Sequence, residues 1–205
     1  MPEIIITRSV FELDDVEVRE ENGKKTISGY AAVFERLSVP IYDFREKIRR
    51  GAFTASLKKN NIRALWNHDS GTVLGATKSG TLRLSEDDKG LRFELNPPDT
   101  QAGRDAVELI KRGDVEGMSF GFRVIKQEWD ESDKKNIVRT LVDVDLREVS
   151  ITAFPAYPDT KVKVRSIGDD YEEYHRMNSG EAERSVNMQK IQLMKNRLTI
   201  LEKEC

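Results

Sequence analysis

Residues 117–125 read GMSFGFRVI, an alternation of apolar with small or polar side chains. Successive side chains of a strand point to opposite faces, so Met118, Phe120, Phe122 and Val124 predict one apolar face. Ser119 falls on the other face, between Gly117 and Gly121, whose missing side chains leave backbone room for an approaching chain. The run continues to Trp129 and meets DESDKKN (Asp130 to Asn136), turn chemistry that predicts a hairpin with Ile137–Leu146.

The same grammar extends outward. Asn22-Gly23 is a strong hairpin signal, joining a segment around Phe11–Val18 to Thr26–Phe34. EDDKG (Glu86 to Gly90) joins Thr81–Ser85 to Leu91–Leu95. Two helices interrupt the hairpins, a short one near Ala52–Lys59 and a longer one over Gln101–Arg112. Thr100 is placed to cap the second and Gly113 to stop it. Its residues Ala106, Val107, Leu109 and Ile110 form an apolar stripe opposite charged positions. Several antiparallel hairpins with two intervening helices predict a mainly β, α+β fold: an antiparallel β-barrel, closed or nearly so, surrounded by helices.

Composition bounds the function. The 205 residues are 38% apolar and 34% charged, enough for one core but not for a core spanning the whole chain. The formal charge of -2 gives no basic footprint for nucleic acid. The single cysteine, Cys205, allows no intrachain disulfide, and with two histidines it leaves too few ligands for a structural zinc site, so no metal or cofactor is expected. The N-terminus lacks the basic region of a signal peptide, and no window approaches the roughly 18 apolar residues that span a bilayer. No membrane partner is expected.

Character changes after Arg165. Residues 166–185 are polar and acidic and read as a linker. Residues 186–205 carry Ile191, Met194, Leu198 and Leu201 at the spacing of an amphipathic helix. The expected organisation is therefore a domain over 1–165, a linker over 166–185 and a C-terminal helical tail over 186–205.

Three polar residues stand out against their strands. In VDVDLREVSIT (residues 142–152), Val142, Val144 and Leu146 share a face that Glu148 continues if the strand is unbroken. A carboxylate there must reach a partner or a cleft, because unpaired burial costs several kcal/mol, roughly. In IRALWNHDS (residues 62–70), His68 shares parity with Ala64 and Trp66, just before an expected turn at Asp69-Ser70-Gly71. Each has an ordinary reading beside a catalytic one: Ser119 as a strand serine, His68 as a turn residue, Glu148 as partner to a surface base. Spacing alone leaves both open.

The order of motifs adds to this. ISGYAAVFE, IRRGAFTASL, LWNHDSGTVLGATKSGTLRLSEDDKGLRFELNPPDT, GRDAVELIKRGDVEGMSFGF and DLREVSITAFPAYPDTKV follow one another from about residue 27 to 165. Together they resemble the prohead (capsid maturation) proteases of tailed phages, of the HK97 type. The resemblance implies a fold similar to herpesvirus assemblin, a β-barrel surrounded by helices that works as a homodimer. It implies a serine endopeptidase whose histidine falls in LWNHD (His68), whose serine falls in GMSFGF (Ser119) and whose acidic third member falls in DLREVS (Glu148). It further implies that the substrates are the scaffolding segment of the major capsid protein and the protease itself, cut inside the assembling prohead in the host cytoplasm. In that frame the polar linker suits self-cleavage, and the terminal helix suits carriage into the shell. Ala156 in FPAYPDT, after Glu148, is the candidate oxyanion donor through its backbone N–H, although the arginine pair of the assemblin loop is absent. The competing reading is a non-enzymatic scaffold or capsid-assembly β-barrel module. A G-x-S-x-G elbow is missing, which argues against an α/β-hydrolase.

Overall fold

The computed structural model describes residues 5–10, 16–21, 23–41 and 43–153, all within the unit Met1–Thr160. In chain order the elements are β1 (Ile6–Val10), β2 (Glu17–Glu21), β3 (Lys24–Val33), β4 (Phe44–Ile48), α1 (Thr54–Lys59), β5 (Arg63–Trp66), β6 (Asp69–Ala76), β7 (Leu82–Glu86), β8 (Gly90–Leu95), α2 (Gln101–Lys111), β9 (Gly117–Asp130) and β10 (Ile137–Thr152). The expected linker 166–185, the tail helix 186–205 and Ala156 lie outside the described residues.

Local signals produced the expected local structure. Gly23 adopts φ +74 in the turn between β2 (Glu17–Glu21) and β3, and residues 11–15 of the segment that the hairpin signal suggested lie outside the described residues. Asp87 folds the β7–β8 turn by accepting the N–H groups of Lys89 (2.8 Å) and Gly90 (3.0 Å), an Asx-type use of its carboxylate. The Thr100 hydroxyl accepts the Gly103 N–H at 3.3 Å, capping α2 as expected.

The strands form two sheets, one ordered β1-β9-β10-β5-β6 with β4 also on β10, the other β2-β3-β8-β7. Met118, Phe120, Phe122, Val149 and Ile151 of the first share one core with Ile27, Leu91, Phe93 and Leu95 of the second. Phe120 stacks on Phe122 at 5.1 Å and meets Phe53 edge-on at 5.5 Å.

The expectation of an antiparallel fold needs correction, since the larger sheet is mixed. β10 runs antiparallel to β9 along its whole length. On its other side it pairs in parallel with β4 over Ile137–Leu141 and with β5 over Glu148–Ile151. β4 and β5 thus lie in succession along one edge of β10, and α1 joins them in the chain. Nothing local in the sequence marks these long-range parallel pairs.

Between β4 and β5 the edge of β10 would carry orphaned main-chain groups, and α1 and the turn before it satisfy them. Ser56, buried, donates to the Val144 carbonyl and accepts the Leu146 N–H at 2.9 Å, while the Val144 N–H reaches the Ala52 carbonyl at 3.0 Å. Removing one buried partner leaves the other with its full desolvation cost, about 1–3 kcal/mol. Ser56→Ala orphans two such groups. Its unfolding midpoint in denaturant should fall by an amount equivalent to about 2 kcal/mol or more, with an unchanged m-value.

Candidate active site

His68 is not in a strand. Trp66 pairs with Asp69 across a two-residue turn made of Asn67 (φ 50) and His68 (φ 61). Both residues are left-handed, as the I′ hairpin turn requires. The turn therefore begins two residues earlier than Asp69-Ser70-Gly71, and the parity drawn from Ala64 and Trp66 does not carry to the histidine. Asn and His visit this region more readily than most side chains, at a cost in backbone energy that the surroundings offset. Those surroundings are the end of β10. The Asn67 N–H donates to the Ile151 carbonyl at 2.8 Å, the Thr152 hydroxyl donates to Asn67 Oδ1 at 2.8 Å, and the His68 N–H reaches Ser150 Oγ at 3.2 Å.

Glu148 reaches the same place by a bulge. Leu146 pairs with Phe122 but Glu148 pairs with Gly121, so Arg147 is the extra residue. The strand is thus broken at the point where the parity argument needed it whole. Leu146 stays on the core face, while Glu148 and Ser150 turn to the face that also carries Ser119 and Gly121. On that face the Ser119 and Ser150 Cα positions are directly opposed.

The pieces meet there. His68 Nδ1 lies 2.8 Å from Glu148 Oε1. Ser150, fully buried, donates its hydroxyl to Glu148 Oε2 at 2.6 Å. One carboxylate thus faces an imidazole on one oxygen and a hydroxyl on the other. With Nδ1–H donated to a carboxylate, Nε2 is the ring atom left to take a proton. The imidazole is about one-third exposed, at 30%, so it can meet an incoming group.

Gly121 has a different role from the one its sequence position suggested. A Cβ at this position would stand 2.3 Å from Glu148 Oε1 and 3.0 Å from its Cδ and Cγ. The missing side chain makes space for the carboxylate, not for an incoming chain. Ser150 was also missed. Its only sequence signal was its place two residues after Glu148, opposite Ser119 in the hairpin.

Ser119 shares the face of this group but does not bond to the imidazole. It is fully buried, and its hydroxyl donates to the Arg8 carbonyl oxygen at 2.8 Å. β1 pairs antiparallel with β9 across it, with Arg8 opposite Phe120 and Ser9 opposite Ser119. The structure therefore brings His68 and Glu148 into contact and sets Ser119 beside a main-chain carbonyl of its own chain. Among the described residues no three His, Cys, Asp or Glu groups are placed to hold a metal ion, and no helix is long and apolar enough to cross a membrane.

Residues 12–176 match the family described as caudovirus prohead serine protease. The chain belongs to that family. The prohead protease of Enterobacteria phage HK97 is 33% identical over 163 residues, covering 76% of this chain and 66% of the relative. The prohead protease of Escherichia phage T5 is 31% identical over 120 residues, covering 58% of this chain and 53% of the relative. The chain thus spans about two-thirds or less of the curated prohead proteases it matches. Among solved structures, the bacteriophage T4 capsid assembly protease aligns with TM-score 0.44 and 11% identity, over 72% of this chain and 96% of that one. The resemblance drawn from the motif order is therefore borne out at the level of the family.

Proposed function

We propose that this prohead protease family member is a serine endopeptidase of capsid maturation, with Ser119 as nucleophile, His68 as base and Glu148 as the orienting acid. The observation carrying this is the 2.8 Å contact between His68 Nδ1 and Glu148 Oε1 on the sheet face that bears Ser119. A serine hydroxyl attacks an amide only if a base takes its proton. In the reaction Ser119 Oγ bonds to the substrate carbonyl carbon while His68 Nε2 accepts the hydroxyl proton. Glu148 stabilises the imidazolium that forms. The C–N bond then breaks, His68 returns the proton to the leaving amine, and an ester remains on Ser119. Water, deprotonated by the same nitrogen, attacks the ester and releases the acid.

In this reading the substrates are the scaffolding segment of the major capsid protein and the protease itself, and the enzyme acts inside the assembling prohead. A homodimer of assemblin-like barrels, the Ala156 N–H as oxyanion donor and a C-terminal helix that carries the enzyme into the shell belong to the same proposal. The test is co-expression with the major capsid protein, comparing wild type and Ser119→Ala by mass spectrometry. Capsid chains shortened by both proteins alike would favour the non-enzymatic assembly module instead.

The tight seat of the carboxylate gives a second test. Gly121→Ala forces Glu148 to move by a substantial part of an ångström, and misplacements near 1 Å cost about 100-fold in rate. We expect kcat/KM on a cleaved capsid peptide to fall by about that factor, with the circular dichroism spectrum unchanged.

A further inference from the structure

The contact between Ser119 and β1 carries information about substrate choice. Extended peptides bind many proteins by adding a strand to an exposed sheet edge. Without β1, the edge of the larger sheet is β9, the strand that carries Ser119. β1 occupies that edge in the antiparallel sense, and the carbonyl it presents to the Ser119 hydroxyl, at 2.8 Å, is that of Arg8. In this register the bond beside the serine is Arg8–Ser9, and the residue on its amino side is an arginine.

The arginine side chain has a built receptacle. Opposed to Phe120, it projects to the face away from Ser119 and lies over the Phe122 ring at 5.9 Å. Its guanidinium meets Glu46 through two parallel contacts, Nε to Oε1 at 2.6 Å and Nη2 to Oε2 at 3.2 Å, and Nη1 donates to the Thr7 carbonyl at 2.9 Å. Two parallel contacts of this kind suit a planar guanidinium better than an ammonium.

Glu46 is nearly inaccessible, at 4% exposure, and is anchored from behind. The Ser38 N–H donates to the Glu46 carbonyl at 2.7 Å and Ser38 Oγ accepts the Glu46 N–H at 2.8 Å. Arg139, fully buried, places Nη1 3.3 Å from Glu46 Oε2 while its Nε donates to Gln127 at 2.7 Å. This second cation belongs to β10 and stays when β1 leaves. Glu46 is then still paired, so the receptacle can empty and refill without stranding a bare carboxylate.

We infer that Glu46 is a specificity residue of the site, selecting arginine, and less strongly lysine, on the amino side of the bond that Ser119 attacks, with residues 6–10 lying where a substrate strand lies. The inference rests on the proposed role of Ser119. A neutral side chain in this seat removes the partner of Glu46 Oε1, Oε2 keeping Arg139, and an acidic one adds repulsion.

The experiment is a cleavage profile. Full-length protein is incubated with a mixed peptide library, and cut positions are read by mass spectrometry in peptides and in the chain itself, each referred to Ser119→Ala. Expected are Ser119-dependent cuts after arginine and lysine, the chain's own Arg8–Ser9 bond included. The ratio of kcat/KM for arginine over glutamine peptides should fall by about 100-fold in Glu46→Gln, the scale on which losing one partner of a buried charge pair weakens binding. The wild-type profile decides the matter even where Glu46→Gln fails to fold. Ser119-dependent cuts without basic preference overturn the inference and leave the protease standing. No Ser119-dependent cut in peptides, capsid protein or the chain itself overturns both.

Discussion

Ser119→Ala should leave co-expressed major capsid protein at full length, with turnover down by on the order of 10⁶, the scale seen when a triad serine is removed from a serine protease. The expectation follows from chemistry that no neighbour can replace. Ser150, the hydroxyl opposite Ser119 on this face, already donates to Glu148 Oε2 at 2.6 Å and accepts the His68 N–H, and the Thr152 hydroxyl donates to Asn67 Oδ1. The Ser150 proton points at the carboxylate, not at an imidazole nitrogen, so Ser150 is no substitute nucleophile. The alanine should be structurally mild, since among the described residues the hydrogen bond it removes is the one to the Arg8 carbonyl. Mass spectrometry of the capsid chain gives the answer, and calorimetry shows whether the fold survived. A shortened capsid chain from a folded Ser119→Ala protein removes Ser119 from the mechanism.

The second large effect is expected from Glu148→Gln. The carboxylate accepts on both sides, from His68 and from Ser150. An amide cannot. If its oxygen stays with Ser150, its NH₂ faces Nδ1 and forces the proton onto Nε2, abolishing the base. If it flips, the NH₂ points at a hydroxyl whose own proton then loses its acceptor in a buried site, a cost of about 1–3 kcal/mol. Ser150 thus biases the amide toward the inactive tautomer. We expect kcat to fall about 10⁴-fold, the scale of the equivalent carboxylate-to-amide change in a Ser-His-Asp enzyme. In Ser150→Ala/Glu148→Gln the bias is gone, and part of that loss should return. Single-turnover rates for the two proteins decide it. Equal rates show that Ser150 has no part in setting the tautomer.

What could be read in the sequence and what could not divide along a physical line. Turns are local, so Asn22-Gly23, the 86–90 loop and the 130–136 loop announced three hairpins, all present. Helix α2 announced itself through Thr100, its apolar stripe and Gly113. The alternation in GMSFGF also held, because β9 is regular there. Elsewhere the determinants were non-local. The bulge at Arg147 moves Glu148 to the opposite face, and no residue type marks a bulge. Parallel pairing of β10 with β4 and β5 depends on segments some 85 to 95 positions away. The pairing of residues 6–10 with β9 is likewise unmarked in the sequence. Residues 68, 119 and 148 could be singled out by type and motif, whereas the left-handed turn, the bulge and the space left by Gly121 belong to the folded chain.

The conformation of His68 has a consequence for how this chain can change over time. Asn-Gly is the favoured pair for a two-residue hairpin whose central residues both have positive φ. The chain has Asn67 but keeps a bulky ring where glycine would fold more comfortably, a penalty of about 1 kcal/mol or more. Under the proposed mechanism, hairpin geometry and the need for an imidazole pull this one position in opposite directions. In a lineage released from cutting anything, position 68 is where drift toward glycine would meet the least resistance.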